Sequence, residues 1–506
     1  MTSILQRKSI FLATVLVASL WLLWLFDDGL GMGWPSDTLR NWQQCGVTTL
    51  HGALVFNPGG FEAVTAPQIY HGMSPFCLYT VLICTKLLGW TGLGTFSFFL
   101  VLGVLVLWGT WSLLGRGNFA QLAAVAVILS PGYGRWLVGI DPNAISVLLG
   151  IPYAAAVTEL LKKPRLRAAD SLLIFLLTGA FVILNWTTAW VLTPFGIFLL
   201  ATSQVRRARA VKFLTVAAAG SILFVFSSML AKSGGAAVGG GGAGQHFLGG
   251  YTWGNYGYGE GLTTSRAFIR IFFITTIGLL PVLLLWAMTA FHKFRVAPAN
   301  GFIALLPLGV ALLEIAAMRN YFGHHPWMAP PVVIVGLIFS INLLSATATE
   351  SRPATGGGLK RLVFIAAVCL VYGLAVVSFY RANGSEGRSL TRMVRHETAR
   401  TDWIVLVKNV DPVTAQQSDR LDGTLDRHVV VVDDLKDLPA GQSLAILTAV
   451  PMNGGQLIAQ ERVGSGSGLD AVLPKAADWF NRTISRRKPG DRPEFASQYY
   501  LYRPAP

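Results

Sequence analysis

Charge is what this sequence has least of. Only 13% of its 506 residues are Asp, Glu, Lys or Arg, while 53% are hydrophobic and the mean hydropathy is +0.53. Soluble domains carry about 25% charged residues, so a water-soluble class is excluded and the chain reads as a polytopic membrane protein. Cysteine is nearly as scarce. The four present, at 45, 77, 84 and 369, form no CxxC pair and no metal-ligand spacing, which excludes a redox dithiol and a zinc ribbon. Cys45 and Cys77 remain a pair that an oxidising compartment could join. The glycine-rich stretches lack the GxxxxGK[ST] and strand–GxGxxG–helix contexts, so no phosphate loop is present. The adjacent His324 and His325 lack both the i, i+4 spacing of HExxH and a third ligand, so they are no metal signature. No internal repeat occurs, and the ionisable residues fall at the ends of apolar segments. Both facts weigh against a transporter or lipid-linked oligosaccharide flippase, which needs repeats and mid-membrane charge.

Apolar windows near the roughly 20 residues that cross a bilayer lie at about 9–26, 95–114, 119–134, 143–161, 171–187, 189–204, 213–231, 268–290, 300–318, 328–346 and 362–380. These make about eleven spans if residues 75–90 do not cross. Arg7-Lys8 ahead of the first run resembles a signal peptide, but no small-residue cleavage site follows, so the run is expected to be a retained span. Positive charge decides the status of 75–90. With that segment kept on the outer side, Arg116, Lys162-Lys163-Pro164-Arg165, Arg167, Arg206-Arg207, Arg209, Lys212, Lys293, Arg295, Arg352 and Lys360-Arg361 all face the cytoplasm. The outer connections retain only Arg40, Arg135, Lys232, Arg266 and Arg319. The net charge of +15 is therefore an orientation signal and gives no case for nucleic acid. Segment 75–90 is expected to be a juxtamembrane or re-entrant helix, with the N-terminus inside and the C-terminal part outside.

The chemistry-bearing residues gather in the outer segments. The first outer loop, 27–94, opens Trp34-Pro35-Ser36-Asp37-Thr38-Leu39-Arg40 and closes Tyr70-His71-Gly72-Met73-Ser74-Pro75-Phe76. It is far longer than the usual 4 to 6 residues or so of a connection. Asp37 is either a cap for the helical-looking stretch Leu39 to Leu50 or a general base, since a poorly solvated carboxylate near the bilayer surface suits proton abstraction. Asp141 precedes Pro142, a strong helix-start signal, and capping does not exclude a second role. A flexible outer loop, 232–267, begins with a low-complexity glycine run. It continues with Tyr251, Trp253, Tyr256 and Tyr258 interleaved with glycines. That pattern suits a flap over a sugar or lipid head group, or else an interfacial aromatic belt. In Arg319 to Trp327, the Arg319 guanidinium can grip two phosphate oxygens at once, and His324 and His325 can add bonds. The bland alternative is interfacial snorkelling around a helix start. Glu314, in the preceding span, is expected to face the protein interior. Asn185 and Trp186 read simply as turn residues.

After Tyr380 the character changes. A polar linker at 381–400 leads to a small α/β domain over 401–506, with strands at 403–407, 428–432 and 444–448 and a helix at 469–484. It contains no catalytic constellation, and a glycan-binding, acceptor-docking or structural role fits it equally.

In their order along the chain these features resemble the GT-C superfamily of membrane glycosyltransferases, in the branch of protein O-mannosyltransferases and the lipid A aminoarabinose transferase. Trp34-Pro35-Ser36-Asp37 occupies the place of the acidic motif that opens the family's first outer loop. Tyr70 to Tyr79 occupies that of its closing surface helix, and Asp141-Pro142 that of a second acidic position. Two departures stand out. Thr38 follows Asp37 where a second acid is common, and Ser74 stands where some members have Lys or His, with His71 displaced. The resemblance covers most of residues 1 to 345. It implies an all-α membrane domain, 1–380, of GT-C type with about 11 transmembrane helices, plus the C-terminal extracytoplasmic α/β domain. It further implies a bacterial inner-membrane enzyme that takes a sugar from a polyprenyl phosphate and gives it to a glycan, lipid or protein acceptor on the outer face. Asp37 would deprotonate the acceptor, Asp141 would position it or the first loop, and Arg319 with His71, His324 or His325 would receive the departing phosphate. No cofactor is required; some members of the superfamily use a divalent metal, which remains open here. An O-antigen polymerase or ligase, acting on a lipid-linked diphosphate, is the nearest competing reading.

Overall fold

In the computed structural model the described residues are 34–50, 53–55, 76–88, 93–114, 126–127, 130, 142–220, 264–324 and 328–346, together with 364, 367–369, 371–373, 390, 393–394, 396–399, 402–415, 427–438, 443–453, 455–462 and 498–504. The chain divides into two units. One comprises Met1–Asp27 and Phe76–Val376, the other Asp28–Pro75 and Val377–Pro506.

Apolar composition without a polar face makes the first unit a set of helices. They run Leu93–Leu114, Pro142–Lys162, Ala168–Leu184, Ala189–Ala201, Thr264–Val296, Pro298–Ala317 and Ala329–Ala346, at the places the sequence predicts spans. Residues 207–220 are helical too. The predicted span at 9–26 lies outside the described residues, and those at 119–134 and 362–380 are described only in fragments. Among the described residues three helices are long and apolar enough to cross a bilayer: Asn143–Lys162, Ala267–Phe291 and Pro298–Ala317. Their surroundings differ. The first is 83% buried within the protein, the other two 22% and 33%, so the first is the centre of the unit and the others form its periphery. The peripheral helices expose Phe268, Phe272, Met288, Phe291, Phe302 and Leu313. An apolar surface of that extent is suited to lipid and would aggregate in water. The Phe76–Leu88 helix has 13 residues. At 1.5 Å per residue it reaches about 20 Å, the same length as the Ala189–Ala201 helix.

Close helix contact rests on small residues. A Cβ on Gly109 would stand 2.7 Å from Pro152 Cα, so the Leu93–Leu114 and Pro142–Lys162 helices meet backbone to backbone. At the far end of the Pro142–Lys162 helix, the basic cluster read as an orientation signal also does structural work. Arg209 donates from one guanidinium nitrogen to Leu161 O (3.1 Å) and Lys163 O, and from the other to Pro164 O (2.7 Å). It thereby covers carbonyls that the helix terminus leaves without partners. Lys163 Nζ meets Asp170 Oδ1 at 2.6 Å, and Asp170 Oδ2 accepts from the Arg167 N–H, closing the turn into the next helix.

The second unit contains a short helix and a five-stranded sheet. The Trp34–Cys45 helix begins five residues before the stretch read as helical and stops at Gly46, whose φ of +88° ends it. Asp37 therefore sits inside the first turn and does not cap from outside it. Trp42 Nε1 donates to Ala53 O (2.7 Å) and Asn41 Nδ2 to Val55 O (3.1 Å), tying the helix to the chain that follows. Cys45 is a free thiol, and the side chain of Cys77, the partner that the sequence left open, lies outside the described side chains.

The sheet has strand order β2-β1-β3-β5-β4, with β1 Trp403–Val407, β2 Val429–Val432, β3 Leu444–Thr448, β4 Gly455–Arg462 and β5 Gln498–Pro504. β1 pairs in parallel with β2 and β3, as continuous β-branched and aliphatic runs favour, while β5 pairs antiparallel to β3 and β4. Alternate residues feed two cores. Ile404, Leu406, Ala445 and Leu447 face one side, with Leu390, Met393 and Val394 from the stretch read as linker packed against them; Val405, Val407 and Ile446 face the other. The predicted helix at 469–484 lies outside the described residues.

Candidate functional site

A network of buried polar side chains lies at the end of the helical unit where the Pro142–Lys162 helix begins. Pro142 takes the first helical position, as Asp141-Pro142 predicts. One residue on, Asn143 is 3% exposed, and a buried amide must find partners. Asn143 Nδ2 donates to the Tyr321 hydroxyl at 3.2 Å, and its Oδ1 accepts from Asn185 Nδ2 at 2.8 Å. Ser146, one turn along, donates to Asn143 O and shares a 2.7 Å bond with Thr187 Oγ1. Thr188 Oγ1 donates to Asn185 O, closing the short 3-10 turn Trp186–Thr188. Three segments distant in sequence are thus held together: the start of one helix, the turn between two others, and the six-residue helix Arg319–His324.

Aromatic packing reinforces the same junction. The Trp190 ring lies 5.5 Å from that of Tyr321 and 4.8 Å from that of Phe322, and its Nε1 donates to Met318 Sδ at 3.3 Å. Tyr321 and Phe322 are buried, whereas Arg319, two residues before Tyr321, is half-buried. Glu314, in the last turns of the preceding span, has the Thr193 hydroxyl as a side-chain partner and is partly buried, as its predicted inward orientation requires. Its Oε2 is buried with no hydrogen-bond partner among the described residues.

The residues singled out from sequence fare unequally. Arg319 is described and opens the short helix, two residues before Tyr321. Asp141 itself is outside the described residues, but the helix it introduces starts there. His324 closes the short helix by its backbone, its side chain is not described, and His325 is outside. His71, Tyr251, Trp253, Tyr256 and Tyr258 also lie outside the described residues. Asp37 belongs to the other unit, placed by the backbone of the Trp34–Cys45 helix alone. Among the described residues no group of three His, Cys, Asp or Glu side chains is arranged to hold a metal ion. Asn143, Asn185 and Tyr321 were not legible as site residues. Asn185 reads as a turn residue in sequence and is instead a buried member of the network, because its partner is 42 positions away.

The opposite end of the central helix carries the basic residues Lys162 to Arg167 and Arg209. Twenty residues at 1.5 Å each put about 30 Å between the two ends, so the polar junction and the basic loops are a bilayer's thickness apart.

The sequence matches no protein-family model and no curated protein. Solved structures do match. ArnT from Cupriavidus metallidurans in the apo state superposes with a TM-score of 0.55 at 10% identity, covering 90% of this chain and 96% of that one. ArnT from the same organism bound to undecaprenyl phosphate gives 0.52 at 10% identity and covers 98% of both chains. At this identity the likeness speaks to fold alone. The chain has the fold of ArnT.

Proposed function

We propose that this chain is a membrane glycosyltransferase that moves a sugar from a polyprenyl-phosphate donor to a glycan, lipid or protein acceptor at the membrane surface. One observation carries the reading: Arg319 opens the short helix whose Tyr321 is held by Asn143 in the buried junction with Asn185, in a fold shared with a protein, ArnT, whose structure holds undecaprenyl phosphate. A guanidinium at the end of a span is suited to a lipid-linked phosphate, because its planar fork offers two parallel donors where the medium screens charge poorly.

The reaction is a single displacement. Asp37 takes the proton of the acceptor hydroxyl or amine as that atom attacks the anomeric carbon. The bond between the anomeric carbon and the phosphate oxygen breaks, and polyprenyl phosphate departs with the electron pair. Arg319, with His71, His324 or His325, stabilises the charge that develops on it. Asp141, before the first turn of the central helix, positions the acceptor or the first outer loop. Tyr251, Trp253, Tyr256 and Tyr258 cover the sugar. No step is routed through a metal ion.

The reading is tested in a deletion strain. Mass spectrometry of envelope glycans, lipids and glycoproteins should show loss of one sugar substituent, and the matching polyprenyl-phosphate sugar should accumulate. Unchanged acceptors together with an accumulated lipid diphosphate oligosaccharide would replace this reading with a polymerase or ligase.

A further inference from the structure

Arg319 belongs to a helix of only six residues, too short to hold its own orientation. At 3.6 residues per turn, residues two apart point about 200° from each other around the axis. Tyr321 is turned inward, 4% exposed, with its hydroxyl on Asn143 and its ring against Trp190. Arg319 is therefore directed to the other side of the helix, where it is half-buried. The rotation that aims the guanidinium is set in part by where Tyr321 is fastened. Tyr321 is fastened to Asn143, and Asn143 in turn to Asn185.

We propose that Tyr321, through Asn143 and Asn185, is a positioning residue that aims Arg319 at the donor phosphate. This rests on the reading of Arg319 as a phosphate-binding group. The Tyr321 hydroxyl is buried with the network and acts on the ligand only through the angle at which it holds the short helix. Displacements of about 1 Å in such groups can cost about a hundredfold in rate, so the bond has leverage beyond its own strength.

The test is a double-mutant cycle on the full-length protein in detergent, titrated with undecaprenyl phosphate as the probe. Arg319→Ala should weaken binding by about tenfold or more, and Tyr321→Phe by roughly three- to tenfold. In the Arg319→Ala background, Tyr321→Phe should have no further effect, because its influence passes through the missing guanidinium. Asn143→Leu should repeat the Tyr321→Phe result. Equal weakening by Tyr321→Phe in both backgrounds would mark a merely structural role and overturn the proposal, as would wild-type binding by Tyr321→Phe while Arg319→Ala loses it. Wild-type binding by Arg319→Ala would remove the phosphate-binding reading of Arg319, and the proposal with it.

Discussion

Asn185 donates a 2.8 Å hydrogen bond to Asn143 across 42 residues of sequence, and that bond fastens a turn between two helices to the first turn of a largely buried helix. Side-chain bonds between membrane helices average only about 0.6 kcal/mol, but withdrawing a donor from a buried amide adds a desolvation cost. Asn185→Ala should therefore lower stability by about 1–2 kcal/mol, measured as a drop in the unfolding midpoint in detergent.

Gly109 gives a second prediction. Its missing side chain lets the Leu93–Leu114 helix approach Pro152, whose Cα and N would both lie 2.7 Å from an added Cβ. Backbone cannot move aside as a flexible side chain can. Gly109→Ala should cost about 1–3 kcal/mol, read from the same unfolding measurement.

Arg209 gives a third. It serves Leu161 O, Lys163 O and Pro164 O together, which needs the fork of a guanidinium. Arg209→Ala should destabilise the end of the central helix by about 1–2 kcal/mol. Arg209→Lys keeps the charge but offers no planar fork, so it should restore only part of the loss. Hydrogen exchange of the amides from Leu160 to Arg167 would report both variants.

These contacts show what could be read from sequence and what could not. The helices described at predicted spans were legible because they are long apolar runs, and the start at Pro142 because Asp-Pro announces it. β1, β2 and β3 were legible as runs of Val, Ile and Leu. β4, Gly455–Arg462, was not: its polar residues and the register shift between Leu457 and Ala459 break the pattern of a strand. β5 ends in Arg503-Pro504 and reads as a tail until β3 and β4 flank it. At the candidate site the charge of Arg319 was visible, but its support was not. The hydroxyl of Tyr321 and the amide of Asn143 are 178 residues apart, and no local pattern relates them. The helix that carries Asp37 begins earlier than expected because Pro35 is tolerated in a first turn, and it ends at a glycine in the left-handed region.

Asp411 provides a pH-dependent prediction. Burial pushes its carboxyl pKa up, but hydrogen bonds from the Thr414 hydroxyl and N–H, the Ala449 N–H and the Thr448 hydroxyl outweigh it, and the net shift is downward. A depressed folded-state pKa gives stability that is complete above the unfolded value, about 3.9, and is lost as pH falls through the folded one. Acid unfolding followed by Trp403 fluorescence should steepen below about pH 4 in the wild type. Asp411→Asn should be less stable at neutral pH and lack that acid-dependent component.

The central claim is sugar transfer from a lipid phosphate, and the most direct measurement is product formation by the purified full-length chain given a defined undecaprenyl-phosphate sugar and an extract of envelope acceptors. Wild type should transfer the sugar and release undecaprenyl phosphate in equal amount. Asp37→Asn should fold normally and lose transfer by about 10²–10⁴-fold, the range for removing a general base, while still binding undecaprenyl phosphate. Full transfer by Asp37→Asn would contradict the account.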